Sequence, residues 1–259
     1  MTEAPFAPSL LERVDILLNR VDYRLAETEA ERDAIFRLRY DAYLREGAIA
    51  ADTIARVQDR FDDSPNGRLI GVYLDGTLAA SIRIHLVDSE NADSPALDAF
   101  PAELRPVARS HMFIDPNRFV ADHAVSRFCP ELPYIVLRLP FIAAGHWGAG
   151  FVTATVRSEH SAFYRRVLRC SKVAGPRPYP TLLKPLGLLL VSYPREAPKV
   201  LQSYPFFEAR PNEADQIFGD VTAHEAPNAG NPHVQRILAA ENDWVRRNAT
   251  YSNAKEVRP

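Results

Sequence analysis

The stretch RLIGVYLDGTLAASIRIHLV, residues 68–87, carries the clearest structural pattern in the chain. Two apolar runs flank Asp75-Gly76, the dipeptide preferred in two-residue hairpin turns. In the second run three aliphatic residues alternate with three polar ones, and Arg83 is the central polar residue. Alternation places those polar residues on one face of a strand. The stretch therefore predicts a β-hairpin, and an antiparallel hairpin excludes a purely parallel, doubly wound sheet.

Other elements extend this hairpin into an α/β layer fold. FVTATV (residues 151–156) is typical of a buried strand, and RSEHSAFYRRVL (157–168) predicts a helix with Ser158 as its cap. An amphipathic helix is predicted over residues 8–21, and Thr28 with Glu31 forms a capping box for the next helix. We predict a mixed, mostly antiparallel central sheet with helices on both faces.

Composition narrows the class of protein. The chain has 259 residues, of which 46% are hydrophobic, and a formal net charge of −2, which argues against a general nucleic-acid binder. The N-terminus has no signal-peptide pattern, and no apolar run is long enough to span a membrane. The two cysteines and seven histidines show no metal-ligand spacing. We expect a cytoplasmic protein without a metal site.

Composition along the chain also predicts its division into domains. We expect residues 1–210 to form one domain, made of the helix at 8–21 and a core at 22–210. Residues 211–259 are polar and rich in Pro and Asn, and we expect an extension with one helix capped by Asn231.

Six short motifs follow one another in an order that resembles a known family. They are FRLRYDAYLREG, DRFDD, ASIRIHLV, ALDAFPAEL, FIDPNRF and AFYRRVL. The order resembles the GCN5-related N-acyltransferase (GNAT) fold. Within it, the match is to the bacterial N-acyl amino acid synthases and their relatives, the acyl-homoserine-lactone autoinducer synthases.

The resemblance implies a polar network made by an arginine of the first core helix, two loop aspartates and a strand arginine. Those positions are Arg39, Asp59, Asp62 and Arg83. Without the resemblance, the two aspartates would be assigned to a solvated loop. An arginine on a strand face needs a partner or a cleft, so Arg83 is either part of a structural salt bridge or a clamp for a substrate carboxylate.

Two further substrate-binding residues are expected, Tyr43 on the helical face beside Arg39 and Ser110. The family commonly has Glu-x-Ser-Arg entering the next strand, and we place this pattern on Ala108–His111, where only Ser110 is kept. The departure leaves open which amine is used and whether the site is active.

Amide formation from a thioester needs a proton donor for the departing sulfur and an acceptor for the amine proton. The resemblance implies that Tyr164 lies beside the sulfur, which makes it the candidate general acid. The alternative is an amphipathic tyrosine at the edge of the core. His111 can take a proton near neutral pH and is the candidate base, although lone histidines on strands are more often structural.

The identity of the acyl donor is inferred from a missing loop. CoA-dependent relatives carry a glycine-rich loop between a strand and a helix, where backbone N–H groups bind the pyrophosphate. In this chain the glycines of GHWGAG (residues 145–150) follow a helix, which is ordinary C-capping. The acyl donor is thus expected to be the phosphopantetheine thioester of an acyl carrier protein.

A basic stripe of Arg165, Arg169 and Lys172 on the tyrosine helix is the candidate docking site for that acidic partner. A solvated helix face is the alternative.

The sequence therefore predicts an acyl-carrier-protein-dependent N-acyltransferase that acts on an amino acid or a similar amine, with no tightly bound cofactor. The alternatives are an autoinducer synthase and a non-catalytic acyl-carrier-binding module.

Overall fold

The computed structural model describes residues 8–179 and 181–219, and this part of the chain is built around one mixed sheet. Its strands are β1 (Val21–Leu25), β2 (Gly67–Leu74), β3 (Thr77–Val87), β4 (Phe113–Ala121), β5 (Phe151–Val156), β6 (Ser171–Tyr179) and β7 (Leu182–Ser192). They lie in the order β1-β2-β3-β4-β5-β7-β6. β4 and β5 pair in parallel, and the other neighbours are antiparallel. The predicted fold class is confirmed.

Helices cover both faces of this sheet. They are α1 (Leu10–Leu18), α2 (Glu29–Arg45), α3 (Pro95–Ala99), α4 (Pro101–Ser110), α5 (His123–Phe128), α6 (Leu132–Trp147), α7 (Ser161–Val167), α8 (Tyr193–Ser203) and α9 (Glu213–Phe218). The larger core joins the sheet to buried residues of α1, α6, α7, α8 and α9. Two smaller cores lie on the other face, one with α3 and α4 and one with α2.

Local signals in the sequence explain several of these boundaries. Asp75 and Gly76 both have positive φ, as a tight turn between β2 and β3 requires. Thr28 and Glu31 form the predicted capping box of α2. Gly148 ends α6 in the left-handed region, which confirms its predicted C-capping role, whereas Gly145 lies inside α6.

The helix that follows β5 differs from its prediction. Residues Ser158–His160 form a short 3-10 turn, and α7 begins only at Ser161. Ser158 is therefore not the cap of this helix. The last helical residue is Val167, and Arg169 already has a positive φ of 58° in the turn toward β6.

The described part of the C-terminal extension packs on the larger core. Ile217 and Phe218 of α9 are buried there, and Glu213 binds the buried Arg138 of α6. The predicted helix capped by Asn231 lies outside the described residues. Among the described helices, none combines the length and apolar character needed to cross a bilayer.

The feature that positions the functional site is a gap in the sheet. Among the described residues, β4 and β5 pair only at Phe113–Phe151 and Ile114–Val152. Beyond those positions both strands continue, β4 as far as Ala121 and β5 as far as Val156. The two strands therefore separate toward their C-terminal ends and leave an opening through the sheet.

Candidate active site

A cavity of about 560 Å³ fills the gap between β4 and β5. Its wall includes Tyr43 of α2 on one face of the sheet, and Leu137 of α6 and Tyr164 of α7 on the other. The interior is largely apolar, with Ile82 and Ala154 among the buried residues of its wall. A cavity of this size is typical of small-molecule sites.

A network of buried ion pairs lies on the α2 side. Arg39 Nη1 donates to Asp62 Oδ1 at 2.8 Å, and Arg83 Nη1 lies 2.7 Å from the same oxygen. Arg83 also donates to both carboxylate oxygens of Asp59, at 2.7 and 3.3 Å. The structure brings together the four residues of the predicted network. Its two arginine side chains are 0% and 1% exposed, so their charges are held away from bulk water.

A fifth residue of this network is Arg118 of β4, which the sequence analysis did not select. Its Nε and Nη2 donate to Asp59 Oδ2 at 3.1 and 2.6 Å, and Nη2 also contacts Thr181 Oγ1. Arg118 has a positive φ of 55°, and the pairing of β3 with β4 shifts register at this point. The extra residue is a β-bulge, which places two consecutive polar side chains, Asn117 and Arg118, beside the network. A polar pair that interrupts strand alternation was the available sequence signal.

The stretch that was expected to carry the family pattern lies in a helix. Residues 108–110 belong to α4, and His111 is its C-cap, so Ala108–His111 does not enter a strand. An acidic residue followed three positions later by an arginine does occur inside β4, at Asp115 and Arg118. These two residues have the acidic and basic character, at the same spacing, that the family pattern has and that Ala108–His111 lacks.

Burial sets the protonation of two groups behind the network. Desolvation, together with the nearby positive charge of Arg83, lowers the pKa of His85 to about 4. His85 is therefore neutral at pH 7, and Asn117 links its Nδ1 to Arg83. Complete burial raises the pKa of Asp115, which accepts hydrogen bonds from the Ala96 N–H and from Thr153.

The pKa of the Asp59 carboxyl group is shifted downward, in the direction opposite to that of Asp115. Its burial opposes ionisation, but hydrogen bonds and charge from Arg83 and Arg118 outweigh that cost and hold its pKa well below the usual range. Asp59 is thus the anion that joins the two arginines.

Tyr164 lies in the wall of the cavity, across the gap from the arginines. Its hydroxyl makes no hydrogen bond to a described residue, and burial raises its pKa. The phenol is therefore neutral at pH 7 and keeps its proton available for a group bound in the cavity.

The candidate base is placed elsewhere. His111 lies at the end of α4, where Ser110 Oγ is 2.8 Å from His111 Nδ1 and the ring packs edge-on against Phe151. Phe151 is at the start of β5, and neither Ser110 nor His111 is among the residues lining the cavity. The structure therefore does not bring the two residues together with Tyr164.

The predicted docking stripe is not a stripe on one helix. Only Arg165 lies in α7, whereas Arg169 follows the helix and Lys172 belongs to β6. Arg169 Nε instead binds Glu196 Oε2 of α8 at 2.6 Å. Arg195 and Lys199 contact the same carboxylate, so the basic surface extends from α7 onto α8.

Comparison with known proteins decides the family. The family model described as N-acyl amino acid synthase FeeM matches residues 34–192, which is more than half of the chain and contains the cavity and its ion-pair network. The chain belongs to the FeeM family. The match also agrees with the resemblance expected from the six motifs.

Solved structures support the FeeM family fold at low sequence identity. FeeM, an N-acyl amino acid synthase from uncultured soil microbes, superposes with a TM-score of 0.59 and 18% identity, over 71% of this chain and 97% of FeeM. MesI, a CoA-dependent acyl-homoserine lactone synthase, gives 0.51 and 17%, over 73% and 97%. BjaI, another CoA-dependent acyl-homoserine lactone synthase, gives 0.51 and 14%, over 71% and 88%. A search of curated proteins found no match.

The contacts of Arg83 distinguish between two roles that this residue could have in the site. The sequence is compatible with two roles for Arg83, a structural salt bridge or a clamp for a substrate carboxylate. In the structure Nε is bound by Asn117, and both terminal nitrogens are bound by Asp59. These contacts favour the salt bridge and leave Arg118 as the arginine of the network that lines the cavity.

Proposed function

We propose that the protein transfers a fatty acyl group from a thioester to the amino group of an amino acid. The observation that carries this proposal is the cavity through the sheet, which is polar at the α2 side and has a neutral phenol at the other. Two substrates can approach from opposite faces of the sheet and meet between β4 and β5.

The donor's phosphopantetheine arm fits the gap because the facing edges of β4 and β5 are unpaired beyond Ile114 and Val152 within the described chain. Amide groups of the arm can hydrogen-bond to a free strand edge, as an added strand does. The acyl chain then lies against the apolar wall formed by residues such as Ile82 and Leu137.

The reaction forms one bond and breaks one. The neutral amine nitrogen attacks the thioester carbonyl carbon, and the tetrahedral intermediate collapses with cleavage of the C–S bond. Tyr164 donates its proton to the departing sulfur, and the proton lost from nitrogen returns to the phenolate through water. The products are an amide and a free thiol, so atoms and charge balance.

An experiment with purified protein tests this activity. Acyl carrier protein loaded with a fatty acyl chain is mixed with each amino acid in turn, and products are identified by mass spectrometry. We expect an N-acyl amino acid. A lactone formed from S-adenosylmethionine would assign the protein to autoinducer synthesis. Donor binding with no new product would assign it to a carrier-binding module.

We further propose that the donor is acyl carrier protein. α5, the first helix after β4, is capped by the Asp122 carboxylate, which accepts from the Val125 N–H at 2.9 Å. An anionic cap repels a pyrophosphate at the place where CoA-dependent relatives bind it. On the surface, the basic residues of α7 and α8 suit an acidic carrier protein.

Charge reversal on α7 tests docking. Arg165 and Arg166 are exposed there, and replacing both by Glu should raise the KM for acyl carrier protein and weaken its dependence on salt. A short acyl-pantetheine donor should react as before. The matched control is Arg105→Glu with Arg109→Glu on α4, which changes net charge equally on the other face of the sheet. Equal effects of both pairs, or a preference of the wild type for acyl-CoA, would contradict the proposal.

A further inference from the structure

Arg118 has one donor group that the protein leaves without a partner. An arginine side chain carries five N–H donors on three nitrogens. Nε and Nη2 bind Asp59, and Nη2 also contacts Thr181. Nη1 is buried and has no hydrogen-bond partner among the described residues, although the side chain is only 4% exposed. A buried unpaired donor costs free energy, and the cost is larger on a charged group.

The positive and negative charges of the network are also unequal in number. Arg39, Arg83 and Arg118 supply three positive charges, whereas Asp59 and Asp62 supply two negative ones. Asp115 is close enough to Arg83 to interact with its charge, but burial raises the pKa of Asp115, and its carboxyl group accepts hydrogen bonds from the Ala96 N–H, Ser94 and Thr153 rather than from a guanidinium group. Within the described residues the ion-pair network thus has one cation in excess, and a buried cation needs a counter-charge.

The position of Arg118 shows where that counter-charge can come from. Arg118 lines the cavity, and its guanidinium carbon lies 5.6 Å from the centre of the Tyr43 ring. It is on the α2 side, across the gap from Tyr164. Because the proposed thioester lies beside Tyr164 on the far side of the gap, we assign an anionic group beside Nη1 to the other substrate, the acceptor.

We propose that Arg118 Nη1 binds the α-carboxylate of the acceptor, and that the enzyme accordingly selects α-amino acids over amines that lack a carboxylate. The proposal rests on the proposed acyltransfer. The β4 bulge aims the guanidinium into the cavity, and Asp59 fixes its plane. Because an α-amino group is one carbon away from the carboxylate, this contact also orients the nitrogen toward the thioester.

Binding of two product-like probes tests the proposal without turnover. N-dodecanoylglycine and N-methyldodecanamide share the acyl amide, and only the first has a carboxylate. We expect calorimetry on the wild type to give roughly 10- to 100-fold tighter binding of N-dodecanoylglycine, as for a charge-assisted buried hydrogen bond. Arg118→Gln should bind both probes equally. Arg45→Gln, at the exposed mouth of the same cavity, should keep the preference.

Thermal melting of each variant verifies folding, and Arg118→Lys serves as a second variant because it keeps the charge but not the planar fork. If Arg118→Gln keeps the wild-type preference, or if it loses both probes equally, Arg118 does not bind the carboxylate. Equal binding of the probes by the wild type, or no binding of either, would also overturn the proposal. A wild type that prefers N-dodecanoylglycine but forms no amide would instead refute the acyltransfer.

Discussion

The molecule has two clusters of buried arginines, and the clusters differ in how many of their N–H donors are hydrogen-bonded. In the first, Arg138 Nη1 and Nη2 each donate to Glu213 at 2.7 Å. The remaining donors of Arg138 bind the Tyr23 hydroxyl and the carbonyls of Phe206 and Glu208. In the second, Nε and Nη2 of Arg39 and Nη1 of Arg118 are buried without partners in the described structure. A saturated guanidinium holds elements together, whereas an unsaturated one beside a cavity is prepared for a ligand.

Tyr23, beside Arg138, and Tyr164, in the cavity wall, also differ in whether their hydroxyl groups are hydrogen-bonded. The Tyr23 hydroxyl donates to the Ile135 carbonyl at 2.9 Å and accepts from Arg138. Burial raises the pKa of Tyr23 to about 12 and raises that of Tyr164 as well. Tyr164 lines the cavity and its hydroxyl makes no hydrogen bond to a described residue, whereas Tyr23 does not line the cavity. We therefore expect the Arg138 cluster to govern stability and the cavity cluster to govern activity.

The largest expected effect is on stability. Glu213→Gln leaves a buried Arg138 cation without its counter-charge, and we expect the free energy of unfolding to fall by about 3 kcal/mol. Turnover per folded molecule should be unchanged, because neither Arg138 nor Glu213 lines the cavity. Denaturant unfolding measures the loss. Asp22→Asn, which breaks the exposed pair with Arg24, is the control and should cost less than about 1 kcal/mol.

The next effect is on catalysis. Tyr164→Phe removes the proton donor but little surface, so kcat should fall roughly 10²-fold with nearly unchanged donor binding. Tyr23→Phe is the matched control, since it removes a buried phenol of the other cluster and should lower stability with little change in kcat. The comparison fails if the two variants show the same kinetics when chemistry limits the rate.

The smallest expected effect is on the pH dependence of the free energy of unfolding, and it is caused by His85, which lies behind the ion-pair network. The folded pKa of His85, about 4, is below the unfolded value of about 6.5, so the unfolded state binds the proton more readily. Its stabilising contribution is therefore complete above pH 6.5 and is lost as the pH falls toward 4. Between pH 7 and pH 5 we expect His85 to account for a fall of about 2 kcal/mol in the free energy of unfolding.

His85→Gln should remove that part of the slope, because an amide does not titrate. Denaturant unfolding of both proteins at pH 7 and pH 5 measures the difference. An identical slope in the variant would mean that other groups account for the pH dependence.

Local patterns predicted the fold well and the site only in part. The Asp75-Gly76 turn, the Thr28 capping box and the strand FVTATV depend on neighbours in sequence, and each appears in the structure. Arg118 depends instead on a bulge, which is set by pairing with β3 and is not visible in strand periodicity. Asp115 and Arg118, which repeat the acid–arginine spacing of the family pattern, lie seven residues after Ala108 and His111.

The prediction of a basic stripe on one helix is wrong for a related reason. Helical spacing connects Arg165, Arg169 and Lys172 only if the helix continues, and it ends at Val167. The chain then turns through Arg169 in the left-handed region, which periodicity alone does not reveal. Long-range contacts, such as that between Arg169 and Glu196, set the final arrangement.

The β4 bulge makes this strand unusually sensitive to changes in length. Because successive side chains of a strand point to opposite faces, loss of one residue there would remove the extra position and straighten the strand. A deletion that spares Arg118 itself would still rotate it away from Asp59 or shift Val120 and Ala121 out of the cavity wall. A substitution library of β4 would thus tolerate several new side chains, whereas a library of single-codon deletions at residues 116–119 should contain no active member.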